Sequence, residues 1–437
     1  MHARNSELGL LLLATIVTGI AYALTGLGSS SANLPANIVP FLGLVLGLLL
    51  ATHLVIRWLA PQADGFVFPI AALLNGMGYM MIARLDPDLA AKQTAWTFIG
   101  LGAFTVTLLL FRDLRKLARY RYSFALLGVV LLMLPLVPGL GKNVNGARIW
   151  LEVGSFTIQP GEFAKVVLSL FLAGYLIDKR ELLSVSSRRV AAIAIPNLKH
   201  FGPMLLAWGV ALIVMIMQRD LGSSLLFFTL FMVMIYIATE RIAYVLVGLL
   251  LFCSGAFGSW LSFSHVQRRV DIWIDPYEDA KGAGFQLAEA AFSMADGGLT
   301  GTGLGLGTPN KIPYADTDMI FAAFGEEMGL FGATAILILF LMFVGGGFRI
   351  ASQARSPFES ILAAGLTALL GFQAFIIIGG ILRILPLTGV TLPFVSYGGS
   401  SLVANYVILA VLIRVSASSF EDELDLSGIP QAPRRSV

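Results

Sequence analysis

Cysteine occurs once in 437 residues, as Cys253 inside an apolar stretch, so the chain has no intrachain disulfide and no thiolate metal cluster. Charge is scarce as well. Asp, Glu, Lys and Arg make up 13% of the residues, about half the share of a soluble domain, which excludes an ordinary water-soluble enzyme. No period of repeating sequence and no low-complexity tract occurs, which removes solenoids and arrays. The net charge of +3 gives no reason to expect a nucleic-acid partner, because the cations fall in loops where membrane topology explains them.

What is present is apolar. Hydrophobic residues make up 57% of the chain and the mean hydropathy is +0.83. Apolar stretches of about twenty residues recur from end to end, each long enough to cross about 30 Å of hydrocarbon. The pattern predicts an all-α polytopic membrane protein with about 12 transmembrane helices. They run roughly 8–27, 37–59, 67–84, 93–112, 122–138, 161–178, 202–218, 220–238, 241–262, 318–345, 358–382 and 397–416. The first stretch is read as a retained span, since a hydrophobic hairpin partner follows it instead of a soluble domain. The expected organisation is an additional N-terminal hairpin over 1–66, a core over 67–417 and a flexible cytoplasmic tail over 418–437.

Charge distribution orients the spans. With the N-terminus in the cytoplasm, the inward loops hold Arg112, Arg115, Lys116, Arg119 and Arg121, then Lys179, Arg180, Arg188, Arg189 and Lys199, then Arg349 and Arg355. The same orientation places 139–160, 263–317 and 383–396 outside. The long loop 263–317 is too rich in aromatics for disorder, and loops of that length are otherwise functional. It gathers Asp275, Glu278 and Asp279 within five positions, with Pro276 before Asp279 and Gly282 and Gly284 after it. Asp279 is therefore expected in an irregular turn. The following FQLAEAAFSMA predicts a helix along the membrane surface with Phe285, Ala288, Ala291, Phe292 and Ala295 on one side. GTGLGLG (301–307) has neither Rossmann nor Walker spacing and is expected to be a flexible outer turn.

Other segments carry charge where it is costly or unexplained. Lys142 and Arg148 are cations in an outward loop and suit an anionic headgroup such as a pyrophosphate. Glu162 and Lys165 lie one turn apart at the start of a span, where they form an ion pair or serve function. Gln218, Arg219 and Asp220 fall between two spans. Asp318, Glu326 and Glu327 lie at or inside the tenth. LPLTGVTLPFVSYGGSSLVANY is broken by Pro386, Gly389, Pro393, Gly398 and Gly399, and should be buried in protein because lipid does not tolerate irregular backbone.

Six motifs in this order, NGARIW, TIQPGEFAK, QRDLG, DPYEDAKGAGFQ followed by GGLTGTGLG, TDMIFAAFGEEMGLFG and LTGVTLPFVSYGGSS, resemble those of the SEDS family (the FtsW/RodA/SpoVE group). The resemblance covers roughly residues 67–416 and leans towards the elongation member. It implies a peptidoglycan glycosyltransferase that polymerises lipid II, an undecaprenyl-pyrophosphate-linked disaccharide pentapeptide, on the outer face of the cytoplasmic membrane. It also implies a class B penicillin-binding protein as partner, alongside membrane lipids. The family's essential aspartate falls on Asp279 and its tryptophan on Trp150. Departures are Ala280 for a proline, Ala288 to Ala290 where a Gln-Ser pair is common, Asp316 for a histidine, and Arg148 two positions before Trp150 instead of adjacent.

These readings make Asp279 the catalytic residue, as general base for an inverting transfer and a possible contact of a divalent cation, Mg²⁺ or Mn²⁺. Lys142, Arg148, Trp150, Glu162, Lys165, Gln218, Asp220, Gln286, Asp318 and Ser400 are the expected substrate-binding residues. The rival reading is a flippase or transporter of lipid-linked precursor, which broken helices and intramembrane carboxylates also fit. A scaffold without catalysis is a third reading, which the retained Asp279 opposes.

Overall fold

The computed structural model describes residues 2–28, 33–34, 38–144, 147–154, 156–180, 188–190, 193–195, 209–214, 217–218 and 220–426. Among them, eleven helices are long and apolar enough to cross a membrane. The expected span 202–218 lies largely outside the described residues, as do Lys199, Arg219 and the end of the tail.

The helices are α1 (His2–Gly28), α2 (Ile38–Leu59), α3 (Val67–Leu85), α4 (Pro87–Leu110), α5 (Arg121–Met133), α6 (Pro160–Asp178), α7 (Leu221–Thr239), α8 (Ile242–Ser262), α9 (Ser264–Ile274), α10 (Phe285–Gly297), α11 (Ile320–Ser352), α12 (Pro357–Ile381) and α13 (Gly399–Leu426). Their starts follow from local chemistry. Asp86 accepts the Asp88 and Leu89 N–H groups (2.8 and 3.2 Å) ahead of Pro87, so α4 begins six residues before the sequence pattern suggests. Ser356 likewise caps α12 ahead of Pro357. The apolar part of α13 is 94% buried and that of α12 83%, which makes them the centre of the bundle. The same share of α5 and α8 is only 11%, leaving most of their surface to lipid. Helices apolar all round divide in this way because burial depends on position in the bundle and not on composition.

Helix α13 runs to Leu426, ten residues beyond the expected end at 416, because SSFEDELDL has no breaker. At the other end, α1 packs along α3 and meets the glycine-rich segment 301–307, where Gly28 leaves no room for a Cβ beside the Leu304 carbonyl.

The loops hold more structure than the hydropathy pattern indicates. Residues 141–158 form a three-stranded antiparallel sheet, β1 (Gly141–Val144), β2 (Ala147–Val153) and β3 (Phe156–Ile158), pairing Lys142 with Trp150 and Leu151 with Ile158. Helix α9 is a further element that was not expected, ending just before Pro276.

GTGLGLG is not a flexible turn. Helix α11 is broken at Gly329 (φ 64°, ψ −165°), and the glycine-rich segment enters the break. The Leu330 and Phe331 N–H groups donate to Gly298 and Leu299 carbonyls (2.9 and 3.2 Å), and the Thr302 and Gly303 N–H groups to Glu326 and Glu327 carbonyls (2.9 and 3.0 Å). A Cβ at Gly301 would sit 2.2 Å from the Glu327 carbonyl oxygen, and one at Gly329 2.2 Å from the Gly301 nitrogen. Glycine is needed here both for close approach and for backbone conformation, since Gly301, Gly303, Gly305 and Gly329 all take positive φ (86°, 104°, 81° and 64°). The two glutamates that the sequence leaves as isolated carboxylates are the other half of this joint. Gly305 N–H donates to Glu327 Oε2 (3.0 Å), Thr308 N–H donates to Glu326 Oε1, and Arg84 lies 3.4 Å from Glu327 Oε1.

Candidate active site

Asp279 lies where the pattern predicts, in a non-helical turn between α9 and α10, and it is exposed. Its carbonyl accepts the Gly282 and Gly284 N–H groups (3.0 and 3.1 Å). Its carboxylate oxygen Oδ2 accepts the Ala283 N–H at 2.8 Å. The chain therefore curls round its own aspartate. A Cβ at Gly282 would lie 2.4 and 2.5 Å from the two carboxylate oxygens, so the side chain keeps this position only opposite glycine.

Helix α10 lies along α11 through a side other than the phenylalanine-bearing one expected at the membrane surface, which leaves both phenylalanines exposed. Leu287, Ala288, Ala290, Ser293 and Gly297 are buried, and Phe285 and Phe292 are exposed. Small residues win the contact because Gly297 meets the Gly325 carbonyl directly, an approach that phenylalanine would prevent. Phe292 instead packs on Tyr277, with ring centroids 5.8 Å apart.

The turn is tied to the irregular segment between α12 and α13. Trp273 Nε1 donates to the Arg383 carbonyl (2.9 Å), and Arg383 donates to the Ile274 carbonyl (2.8 Å). The Arg383 guanidinium lies over the Tyr277 ring, 5.4 Å from its centroid. Arg269 donates to the Leu387 and Thr388 carbonyls (3.1 and 3.2 Å). As expected for irregular backbone within a bundle, Val390, Leu392, Phe394, Val395 and Ser396 of this segment are buried.

Asp318, Gln286 and Asp220 converge nearby. Thr317 hydroxyl donates to Asp318 (2.9 Å). Burial holds the Asp318 carboxyl above the usual range, opposed by the hydrogen bond from Thr317, with Gln286 close by. Asp220 caps α7, accepting the Ser223 N–H at 3.0 Å. Arg269 interacts electrostatically with both Asp220 and Asp318, while burial lowers its own pKa. Sequence reasoning missed Arg269, Trp273 and Arg383. The usable signal was QRR in an outward loop, where the topology rule gives cations no more reason to be than it gives Lys142 and Arg148.

The remaining candidates sit on other elements. Lys142 and Arg148 are exposed on β1 and β2, and Lys142 pairs with Glu152 at 3.1 Å. Trp150 is half-buried on β2. Glu162 and Lys165 form a buried ion pair at 2.8 Å, and Lys165 also donates to Gln373 Oε1 at 3.1 Å. Gln373 in turn donates to the Thr391 carbonyl (2.8 Å), so this pair also reaches the irregular segment. Gln218 donates to the Leu132 carbonyl (2.6 Å), and Ser400 accepts the Gln159 N–H (2.8 Å) at the foot of the sheet. A small open cleft between α2, α3 and α4, lined by Phe41, Leu49, Asn75, Tyr79 and Thr97, contains none of the candidate residues.

Comparison with known proteins supplies the context. The family model described as "Cell cycle protein" (FtsW/RodA/SpoVE) matches residues 42–421. A protein of Mycobacterium tuberculosis named peptidoglycan glycosyltransferase RodA is 42% identical over 425 residues, covering 94% of this chain and 90% of that protein. Stage V sporulation protein E of Bacillus subtilis is 35% identical, covering 77% and 89%. Among solved structures, a chain from a peptidoglycan synthase complex that coordinates polymerisation and crosslinking matches with TM-score 0.69 and 25% identity over 82% of this chain and 99% of that one. The rod shape determining protein RodA of Thermus thermophilus matches with TM-score 0.59 and 24% identity over 82% and 98%.

Proposed function

Because the chain belongs to the FtsW/RodA/SpoVE family of cell cycle proteins, we propose that it is a peptidoglycan glycosyltransferase that polymerises lipid II at the outer face of the bacterial cytoplasmic membrane. The observation that carries the assignment to a site is the Asp279 turn, an exposed carboxylate held by backbone within a helical membrane fold.

In the proposed reaction, the acceptor's sugar 4-hydroxyl attacks C1 of the donor disaccharide as Asp279 takes its proton, and the C1–oxygen bond to lipid pyrophosphate breaks with inversion. A pyrophosphate leaves without acid help, so one carboxylate with nearby cations suffices where glycosidases need two. Lys142 and Arg148 would stabilise the departing charge from the sheet. Trp150, Gln286, Asp318 and Asp220 would contact the sugars and headgroup, with Glu162, Lys165, Gln218 and Ser400 completing the substrate path.

A divalent cation, Mg²⁺ or Mn²⁺, belongs to this proposal in one form only. Among the described residues no group of three His, Cys, Asp or Glu side chains is placed to hold a metal. The exposed Asp279 fits the mode in which one carboxylate and substrate phosphates share the ion, which when bound would neutralise pyrophosphate charge. Chelation should lower the rate severalfold and added Mg²⁺ or Mn²⁺ restore it; an unchanged rate removes the ion.

The purified full chain, with and without its cognate class B penicillin-binding protein, should convert lipid II to glycan strands. Lipid II crossing vesicle bilayers without glycan formation would favour transport instead. Gly282→Ala should lower turnover roughly tenfold to a hundredfold by displacing Asp279, with unchanged helical content by circular dichroism. Parental turnover would show that the carboxylate works from another position.

A further inference from the structure

We infer that Arg269 is a positioning residue for the transfer, a clamp that fixes the Asp279-bearing turn against the Leu387–Gly389 segment. This rests on the proposed function of the Asp279 turn and extends it to a residue that touches no reacting atom.

The turn cannot position itself. Tyr277, Glu278 and Asp279 are exposed, and the turn's own hydrogen bonds are all local, from the Tyr277 N–H to Asp275 and within residues 279–285. Its far end is held by α10, whose small-residue face packs on α11, so its near end depends on α9, which leads straight into it and has no fully buried side chain. An amphipathic helix of eleven residues without a buried face is too short to hold its position by packing. What anchors it is polar. Arg269 donates from one guanidinium nitrogen to two successive carbonyls, of Leu387 and Thr388, and Trp273 and Arg383 close a reciprocal pair of bonds one turn later.

The far side of the clamp is well held. Gly222 of α7 leaves no room for a Cβ beside Val390 and meets the Thr388 carbonyl, and the Cα of Gly389 faces Asp318. Asp318 leads into α11, and Gln286 at the start of α10 lies beside it. Arg269 thus sits where α7, α9, α10, the entrance to α11 and the irregular segment meet. The attraction of Asp220 and Asp318 compensates its charge, which makes a part-buried arginine tolerable there. Lysine should replace it only in part, because an ammonium can donate to both carbonyls but is a compact, more strongly hydrated charge on a flexible stem, costlier to bury beside Asp220 and Asp318.

A misplacement of about 1 Å remote from the chemistry can cost on the order of a hundredfold in rate. The test is steady-state lipid II polymerisation by the purified full chain with its penicillin-binding protein, comparing the parent, Arg269→Lys, Arg269→Gln and Asp279→Asn. Arg269→Gln should lower kcat on the order of tenfold to a hundredfold with KM for lipid II unchanged, and Arg269→Lys should recover part of it. Thermal unfolding of each variant separates clamp from fold, since Arg269→Lys should melt close to the parent yet turn over more slowly. Parental kcat in both arginine variants would overturn the inference, as would raised KM at parental kcat, which would make Arg269 a substrate contact. If Arg269→Lys melts far below the parent and its kcat per folded molecule is parental, the residue is structural only and the inference fails. A parent without activity, or Asp279→Asn with parental activity, would instead sink the functional reading.

Discussion

Asp279→Asn should lower lipid II polymerisation by roughly 10²- to 10⁴-fold, the range of a lost general base, while leaving the fold unchanged. The substitution is nearly isosteric. If the side-chain oxygen keeps its place, the Ala283 N–H at 2.8 Å retains its acceptor, and the amide loses only charge and basicity. The side chain is exposed, so no buried partner is left unsatisfied. Purified variant and parent should therefore share a melting temperature and differ in rate. A variant that polymerises at the parental rate would remove Asp279 from the chemistry.

The second large effect is on stability. Lys165→Met should destabilise the protein by about 3–5 kcal/mol, the cost of breaking a buried ion pair and stranding one charge. Glu162 and Lys165 are both 3% exposed and lie 2.8 Å apart inside the bundle, so Glu162 would keep its charge with no cation in reach of that geometry, or take up a proton. The variant would also release Gln373, which bridges Lys165 to the Thr391 carbonyl. Glu162→Gln/Lys165→Met removes both charges and should recover most of the lost stability, because the penalty belongs to the unpaired partner. Thermal unfolding in detergent measures both. Equal melting of Lys165→Met and the parent would show that water reaches this pair.

Much of the site was legible before any coordinates. Pro276, Gly282 and Gly284 punctuate the chain around Asp279, and the turn they predict is the turn observed, because backbone rules act within a few residues. The glycine-rich segment was misread for the opposite reason. A glycine in a loose turn and one in a tight joint look alike in sequence, and only the break in α11 at Gly329 shows that these supply room as well as positive φ. The contact of α10 with α11 was not legible either, since apolar periodicity points to Phe285 and Phe292, which stay exposed, whereas a close helix contact favours small residues such as Ala290 and Gly297.

Composition and spacing were enough to determine a polytopic helical membrane protein, the positions of the eleven described spans to within several residues, and the turn that presents Asp279. These depend on transfer to hydrocarbon and on local backbone geometry, both of which are properties of short stretches of chain. Only the tertiary structure decided that Glu326 and Glu327 bind a glycine-rich insert, that Lys142 faces Glu152, and that Arg269 joins α9 to a segment more than a hundred residues away. Pairings of that kind are set by which elements the bundle brings side by side, and hydrogen bonds between distant segments leave no period in the sequence.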